Sequence, residues 1–484
     1  MCPGVRACTG TPEKIAAGMM PAMQEKARTK AKRTPSGNQL PSIPAAHAAA
    51  ATLAAAPAWA GPEVSVAMKG KVALVGATVH TVTRGDVSNA TLVFENGRIL
   101  SVEANGPVPA GATQLDLRGR HVYPGFISAN SMLGLIEVGT IVGADDTQEV
   151  GNVNPNLRGE VMFNPDSDLL PVARVNGITS ALVVPGGGAI HGLSALMHLD
   201  GWTQEDMTVR RAVGLHVNWP NMSPARGWWI QQSDEEQNKA RDAAVTAIRT
   251  AFDDARAYQK ARAAEGQAGI PKHDVDVRWD AMRAVVRGEV PVFFHADNIA
   301  QLRSVLAFID EQKLSRCVIV GGRDSWLLAA ELKARDIAVI VGGTQTMPAR
   351  RYDAYDAAFA LPGKLAAAGV RFCIADQGGS FSAANVRNLP HHAGFAAAFG
   401  LPREEALKAV TLYPAQILGV GDQLGSIEPG KVADLQVTDG DPLETTTQCL
   451  EVFINGRQVA MESRQSRLFR KYDAKPRGPK ARPR

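Results

Sequence analysis

An α/β architecture, a (β/α)8 TIM barrel plus a small β-sandwich-like domain formed from the N- and C-terminal segments, is predicted by three observations on the 484 residues. Eight short, near-continuous apolar runs are strung through residues 122–421, most of them separated by helix-length segments. Strands with that character are buried on both faces, as in a parallel sheet covered by helices, and the length leaves room for a closed ring of eight. Alternating strand-like segments flank this stretch on both sides, in 61–121 and 422–466.

In chain order, residues 1–60 read as a signal peptide or a disordered extension. KARTKAKR (26–33) is a basic stretch, an Ala-rich mildly apolar run follows, and Ala58-Trp59-Ala60 is a cleavage-like triplet. A periplasmic or secreted location is the expectation, with the cytoplasm as the alternative. KVALVGATVHTV (71–82) and ATLVFENGRILSVEA (90–104) alternate apolar and polar residues, and Asn96-Gly97 marks a tight turn. ADLQVTDG (433–440) and LEVFINGRQVAM (450–461) repeat the pattern, again with Asn-Gly at the turn. The barrel runs are VYPGFISA (122–129), ITSALVVPGG (178–187), SALMHL (194–199), AVGLHVNW (212–219), VPVFFHAD (290–297), CVIVGG (317–322), AVIVGG (338–343) and RFCIAD (371–376). Between the fourth and fifth, Val245, Ile248 and Phe252 lie at helical spacing, which predicts an amphipathic helix, covering the barrel mouth or, as the favoured reading, packed on the outside of the barrel. Residues 467–484 mix proline with like charge and read as a basic disordered tail.

The formal net charge of +4 is unevenly spread. Residues 1–60 carry a net +5 and residues 467–484 a net +7, which leaves −8 on the body. A nucleic-acid binder concentrates positive charge on a folded face, so nucleic acid is excluded as a partner and a small-molecule substrate is expected. Five cysteines without ligand spacing give no disulfide framework. Beyond the N-terminus, no apolar run is long enough to span a membrane.

EEALKAVTLYPAQILGVGDQLGSIEPGKVADLQVTDGDPLE (404–444), with ENGRILSVEA and DLRGRHVYPGFI near the other end, resembles the amidohydrolase superfamily, particularly its imidazolonepropionase-like and dihydroorotase-like branch. The resemblance covers roughly residues 71–461. It implies a barrel holding one or two divalent metals, zinc foremost, at the C-terminal ends of the strands, and a metal-activated water that hydrolyses a C–N bond. It also implies ligands from a His-x-His on strand one, a Lys or Glu on strand four, a His each on strands five and six, and an Asp on strand eight.

Carried onto this chain, the pattern is partly kept. Asn130 and Met132 stand where strand one would carry its histidines, Ser128 replaces the preceding Asp, and Gly321 and Gly322 stand where strand six would carry its own. His295 and Asp376 remain, and His216 takes the strand-four place. The resemblance thus implies a single-metal site of His295, Asp376 and His216, with Asp376 as the catalytic proton carrier. The direction of His216, inward or outward, depends on register.

Candidate substrate-binding residues are Asn130, His191, Gly187 and Gly188. The triple glycine of VVPGGGAIHG (183–192) could offer backbone N–H groups to a ligand, or be a turn. His198 reads as structural, and of the adjacent pair His391 and His392 at most one can face a site. No G-x-S-x-G elbow, P-loop or C-x-x-C competes. Two readings stay open: a hydrolase of C–N bonds in non-peptide or cyclic amides, and a metal-free, catalytically silent barrel serving as a binding protein. A homo-oligomer and a pairing with a homologous amidohydrolase are both compatible with either.

Overall fold

The computed structural model describes residues 65–475, except 138, 140, 268 and 273. The expected export segment and the end of the basic tail lie outside the described residues. Eight strands form the barrel sheet: β1 (Phe126–Ser131), β2 (Ile178–Val183), β3 (Ile190–His198), β4 (Thr208–Asn218), β5 (Val292–Ala296), β6 (Cys317–Gly321), β7 (Ala338–Gly342) and β8 (Phe372–Ala375). They pair in chain order, and β8 lies against β1 to close the ring.

One strand departs from the expected barrel. β1–β2 and every pair from β4 to β8 run parallel, but β3 is antiparallel to both neighbours. A parallel connection needs a crossover of a dozen or more residues, whereas only residues 184–189 link β2 to β3. The chain therefore turns back as a hairpin. The consequence is functional: β3 begins, rather than ends, at the barrel mouth, and brings His191 there.

Between β4 and β5, helix α1 (Asp234–Ala264) buries Ile248, Ala251, Phe252 and Ala255. Phe252 meets Phe308 of α2 (Ile299–Gln312) edge-on at 5.4 Å, so α1 packs on the outer helical layer, as its spacing predicted. Helices α3 (Ala357–Ala368) and α4 (Leu389–Ala398) flank β8. Among the described residues no helix is long and apolar enough to cross a membrane.

A second, nine-stranded sheet joins strands from both ends of the chain, including Lys71–His80, Asp86–Glu95, His121–Pro124, Leu435–Thr438 and Cys449–Ile454. Leu74, Leu92, Phe94, Leu435 and Phe453 share one core. Phe94 and Phe453 touch at 5.6 Å although their strands are not neighbours in the sheet, so the sheet folds over on itself like a sandwich. Both Asn-Gly turns carry the paired positive φ of a tight hairpin, 50° and 77° at Asn96-Gly97 and 50° and 71° at Asn455-Gly456.

The run VYPGFISA divides at Gly125. Residues 121–124 belong to the β domain and β1 starts at Phe126, four residues later than the sequence suggested. Gly125 donates its N–H to the Asp434 carbonyl, and a Cβ there would fall 2.2 Å from the Thr179 side chain. Gly125→Ala should therefore lower stability by about 1–3 kcal/mol through overpacking; a urea titration showing no shift in midpoint would contradict this tight seam.

The chain after 463 also differs from expectation. Helix α5 (Arg464–Asp473) occupies what read as the start of an irregular tail. Ser463 and Ser466 cap it reciprocally, and Arg467 pairs with Asp168 at 3.3 Å. Proline enters only at 476, beyond the helix.

Candidate active site at the barrel mouth

The direction of His216 follows from packing. Ile127, Leu182, Leu196, Val213, Phe293, Val318, Ile340 and Cys373, one from each of the eight strands, form a single apolar cluster, and only the lumen can bring all eight together. His216 lies against the Phe293 ring at 4.9 Å and faces His295, two residues along β5 on the same side. It therefore points inward.

His216 Nδ1 and His295 Nε2 are 2.9 Å apart, and the His191 ring centroid lies 5.4 Å from that of His295. Three imidazoles from β3, β4 and β5 thus gather at the mouth. Burial, followed by the mutual repulsion of the group, holds His216 well below the ordinary histidine range. Burial, then the neighbouring His191, takes His295 down to about 3. His191 falls to about 4 by burial, against the pull of the Pro185 and Gly188 carbonyls. All three are neutral at pH 7, each with one donor and one acceptor nitrogen. The buried Nε2 atoms of His191 and His216 have no hydrogen-bond partner.

Asp376 follows β8 and is buried. Its Oδ1 accepts the Gln377 N–H at 2.7 Å, while its Oδ2 is buried without a partner. Burial raises this carboxyl to about 6, against the Gln377 N–H that favours the ionised form. Among the described residues no arginine forms an ion pair with it; the Arg323 guanidinium lies instead beside Asp324, at 4.0 Å. Asn130 is buried beside the same exit loop, so close that a Cβ on Gly378 would fall 2.2 Å from its Nδ2.

The glycine loop is already occupied. Gly186 donates to the Thr147 carbonyl, and Ala189 and Ile190 donate to that of Asn152. A Cβ on Gly187 would strike Gln148, and one on Gly188 would strike the Asn152 backbone. The close approach that these glycines permit on their Cα side is made by the chain's own loop after β1. His198 sits at the other end of β3, 3.1 Å from Asp434 of the β domain, and His392 Nδ1 accepts the Thr344 N–H at 3.1 Å. Both serve structural roles.

The Amidohydrolase family model matches residues 328–460, from just before β7 into the closing strands of the β domain. The amidohydrolase tasK of Hapsidospora irregularis is 25% identical over 402 residues, which cover 75% of this chain and 39% of that protein. The chain therefore spans well under half the length of this relative. An amidohydrolase from Thermotoga maritima superposes with a TM-score of 0.71 at 24% identity, covering 80% of this chain and 99% of that one. The chain thus resembles amidohydrolases in its C-terminal part and shares their fold. A prolidase solved with N-methylphosphonate-L-proline shares the fold at a TM-score of 0.50 and 17% identity, over 80% of this chain and 99% of its own.

Amidohydrolases typically use a divalent metal, and the donors here do not fit one as they stand. Two ligands of a tetrahedral zinc lie about 3.3 Å apart, given Zn–N bonds of about 2.0–2.1 Å; the facing nitrogens of His216 and His295 are closer than that. Among the described residues, no three His, Cys, Asp or Glu side chains are arranged to hold an ion, so Asp376 is not brought together with His216 and His295 as a cage. The other places where the resemblance led one to expect ligands are filled differently. Met132 Cε packs against Gly186, and the space beside Gly321 is taken by Asp297 Oδ1. The gathering of His191 with the other two was missed in sequence. The six-residue link before β3, too short for a crossover, was the signal that could have found it.

Proposed function

We propose that this chain hydrolyses a carbon–nitrogen bond in a non-peptide or cyclic amide, with Asp376 carrying the proton. Resemblance to amidohydrolases supports hydrolase chemistry, and one observation carries the assignment: a buried carboxyl at the C-terminal end of β8 with an unpartnered oxygen, raised to about 6. A general base works best with a pKa near the working pH. Above pH 6 the carboxylate takes a proton from water as the water oxygen bonds to the carbonyl carbon. It returns that proton to the nitrogen as the C–N bond breaks. Neutral imidazole N–H groups of the histidine trio and the Asn130 amide supply hydrogen bonds to the carbonyl oxygen, stabilising the charge that develops there.

The test is a panel of linear and cyclic amides assayed from pH 5 to 8, with and without a chelator. Turnover that rises with an apparent pKa near 6 and survives chelation is expected; no turnover on any substrate would remove the proposal. Metal content after dialysis should fall well below one ion per chain, because two close imidazoles without a third ligand provide little chelate binding. Near-stoichiometric metal would show that the donors rearrange.

A second reading, a silent barrel that binds a ligand or partners an active homologue, is favoured by a specific observation. At the expected strand-one place Met132 packs on Gly186, and the space beside Gly321 at the strand-six place is taken by Asp297 from the end of β5.

A further inference from the structure

Helix α5 presents two chemically distinct faces to solvent. It buries none of its ten residues. Leu468 is 40% exposed, Phe469 71% and Tyr472 62%. At about 100° per residue, these three fall within an arc of about 100°, which they share with Gln465. Arg464, Arg467, Arg470 and Lys471 occupy an arc of about 120° on the opposite side. The body holds this helix lightly. Arg467 pairs with Asp168 at 3.3 Å and Arg470 with Glu462 at 2.6 Å, and ion pairs as open to water as these contribute little. Leu468 borders a crevice that Leu169 and Val172 also line. The basic character continues past the helix, because residues 464–484 carry nine Lys or Arg against one Asp.

We infer that α5 docks this chain on an anionic lipid surface, with Phe469 and Tyr472 entering the headgroup region and the basic side chains meeting lipid phosphates. A helix with a Lys/Arg face and a Phe/Leu face suits the plane of a bilayer interface, where apolar contact and charge act together. Long basic side chains reach from its flanks to the phosphates. The apolar arc is too small for a folded partner or a second copy. At about 150–250 Å² per aromatic side chain, two partly exposed rings with Leu468 offer about 300 Å², whereas a standard interface buries about 800 Å² on each partner. A bilayer makes up that deficit with charge, at about fivefold in affinity for each Lys or Arg near its surface. A nucleic acid would match the charge but leave the apolar arc in water. The body, net −8 over residues 61–466, is repelled by the same surface, so the terminal helix rather than the barrel makes the contact.

Co-sedimentation of the full chain with lipid vesicles tests the inference. One set is phosphatidylcholine alone, and the other contains about one-third phosphatidylglycerol. The expected result is binding to the second set only, weakening as salt rises. Phe469→Ser should weaken it about tenfold, and Lys471→Glu, a change of two charges, about twentyfold. Because α5 buries no residue, both variants should melt with the wild type. No binding to the anionic vesicles would overturn the inference. Undiminished binding by Phe469→Ser would do so too, since basic charge would then adsorb without the apolar face of the helix. Tighter binding to duplex DNA than to the anionic vesicles at the same salt would also overturn it, assigning the basic face to nucleic acid.

Discussion

Asp376→Asn should abolish turnover and make the chain more stable at pH 8. The first effect is the loss of a group whose proton transfer is worth about 10²–10⁴ in rate. The second follows from linkage. The carboxyl has a folded pKa of about 6 against an ordinary 3.8, so the fold disfavours its ionised form. Its contribution to stability is present at low pH and lost as pH rises from about 4 through 6. At pH 8 the ionised group therefore costs the fold about 3 kcal/mol, because each pH unit between those two values carries about 1.4 kcal/mol. Asparagine keeps an oxygen to accept the Gln377 N–H and carries no charge. Its new N–H donors need partners, which reduces the gain to about 1–3 kcal/mol. At pH 4 the two proteins should be nearly equal. Chemical denaturation at both pH values, beside kcat/KM on any substrate found, tests both claims. A purely structural carboxylate would behave oppositely, with asparagine lowering stability at pH 8. That result would end the case for Asp376 as the proton carrier.

Much of the scaffold was legible because its signals are local. Asn96-Gly97 and Asn455-Gly456 must adopt positive φ to close their hairpins, and those dipeptides do so readily. Near-continuous apolar runs announce strands covered on both faces whatever their neighbours. The site was less legible because it depends on register and on strand direction. His216 is one residue from facing the outer helices, and bulges in the pairing of β3 with β4 interrupt the alternation that would have settled it. His191 reaches the mouth only because β3 runs backwards. Gly187 and Gly188 showed where something would come close, but not that it is the Gln148 side chain and the Asn152 backbone of the same chain. A residue type can be read from sequence, but what occupies the space beside it is a tertiary fact.

The histidine trio, with the buried His392 behind β7, makes the chain acid-labile. Their folded pKa values lie below the ordinary 6.5, at about 4 for His191, about 3 for His295, and well below for His216. The unfolded chain therefore binds more protons between these values, and stability is complete above about pH 6.5 and falls as pH drops toward 4. Each histidine can contribute up to about 1.4 kcal/mol per pH unit. His392, also taken down to about 4 by burial, adds a fourth proton, and Asp376 opposes them by one between about 6 and 4, so a net slope of about 3–4 kcal/mol per pH unit is expected near pH 5. Against a typical total of about 5–15 kcal/mol, two pH units remove a large share. Urea midpoints at pH 7, 6 and 5 measure the slope, and His295→Asn should reduce it by the contribution of about one proton. A flat profile, or an unchanged slope in that variant, would mean that the imidazoles are not held neutral by burial. The same titration bears on the metal. Bound ions also hold histidines deprotonated, but they raise stability at pH 7 and release it to a chelator. A slope that is indifferent to chelator assigns the neutrality to the packed lumen, and one that changes assigns it to coordination.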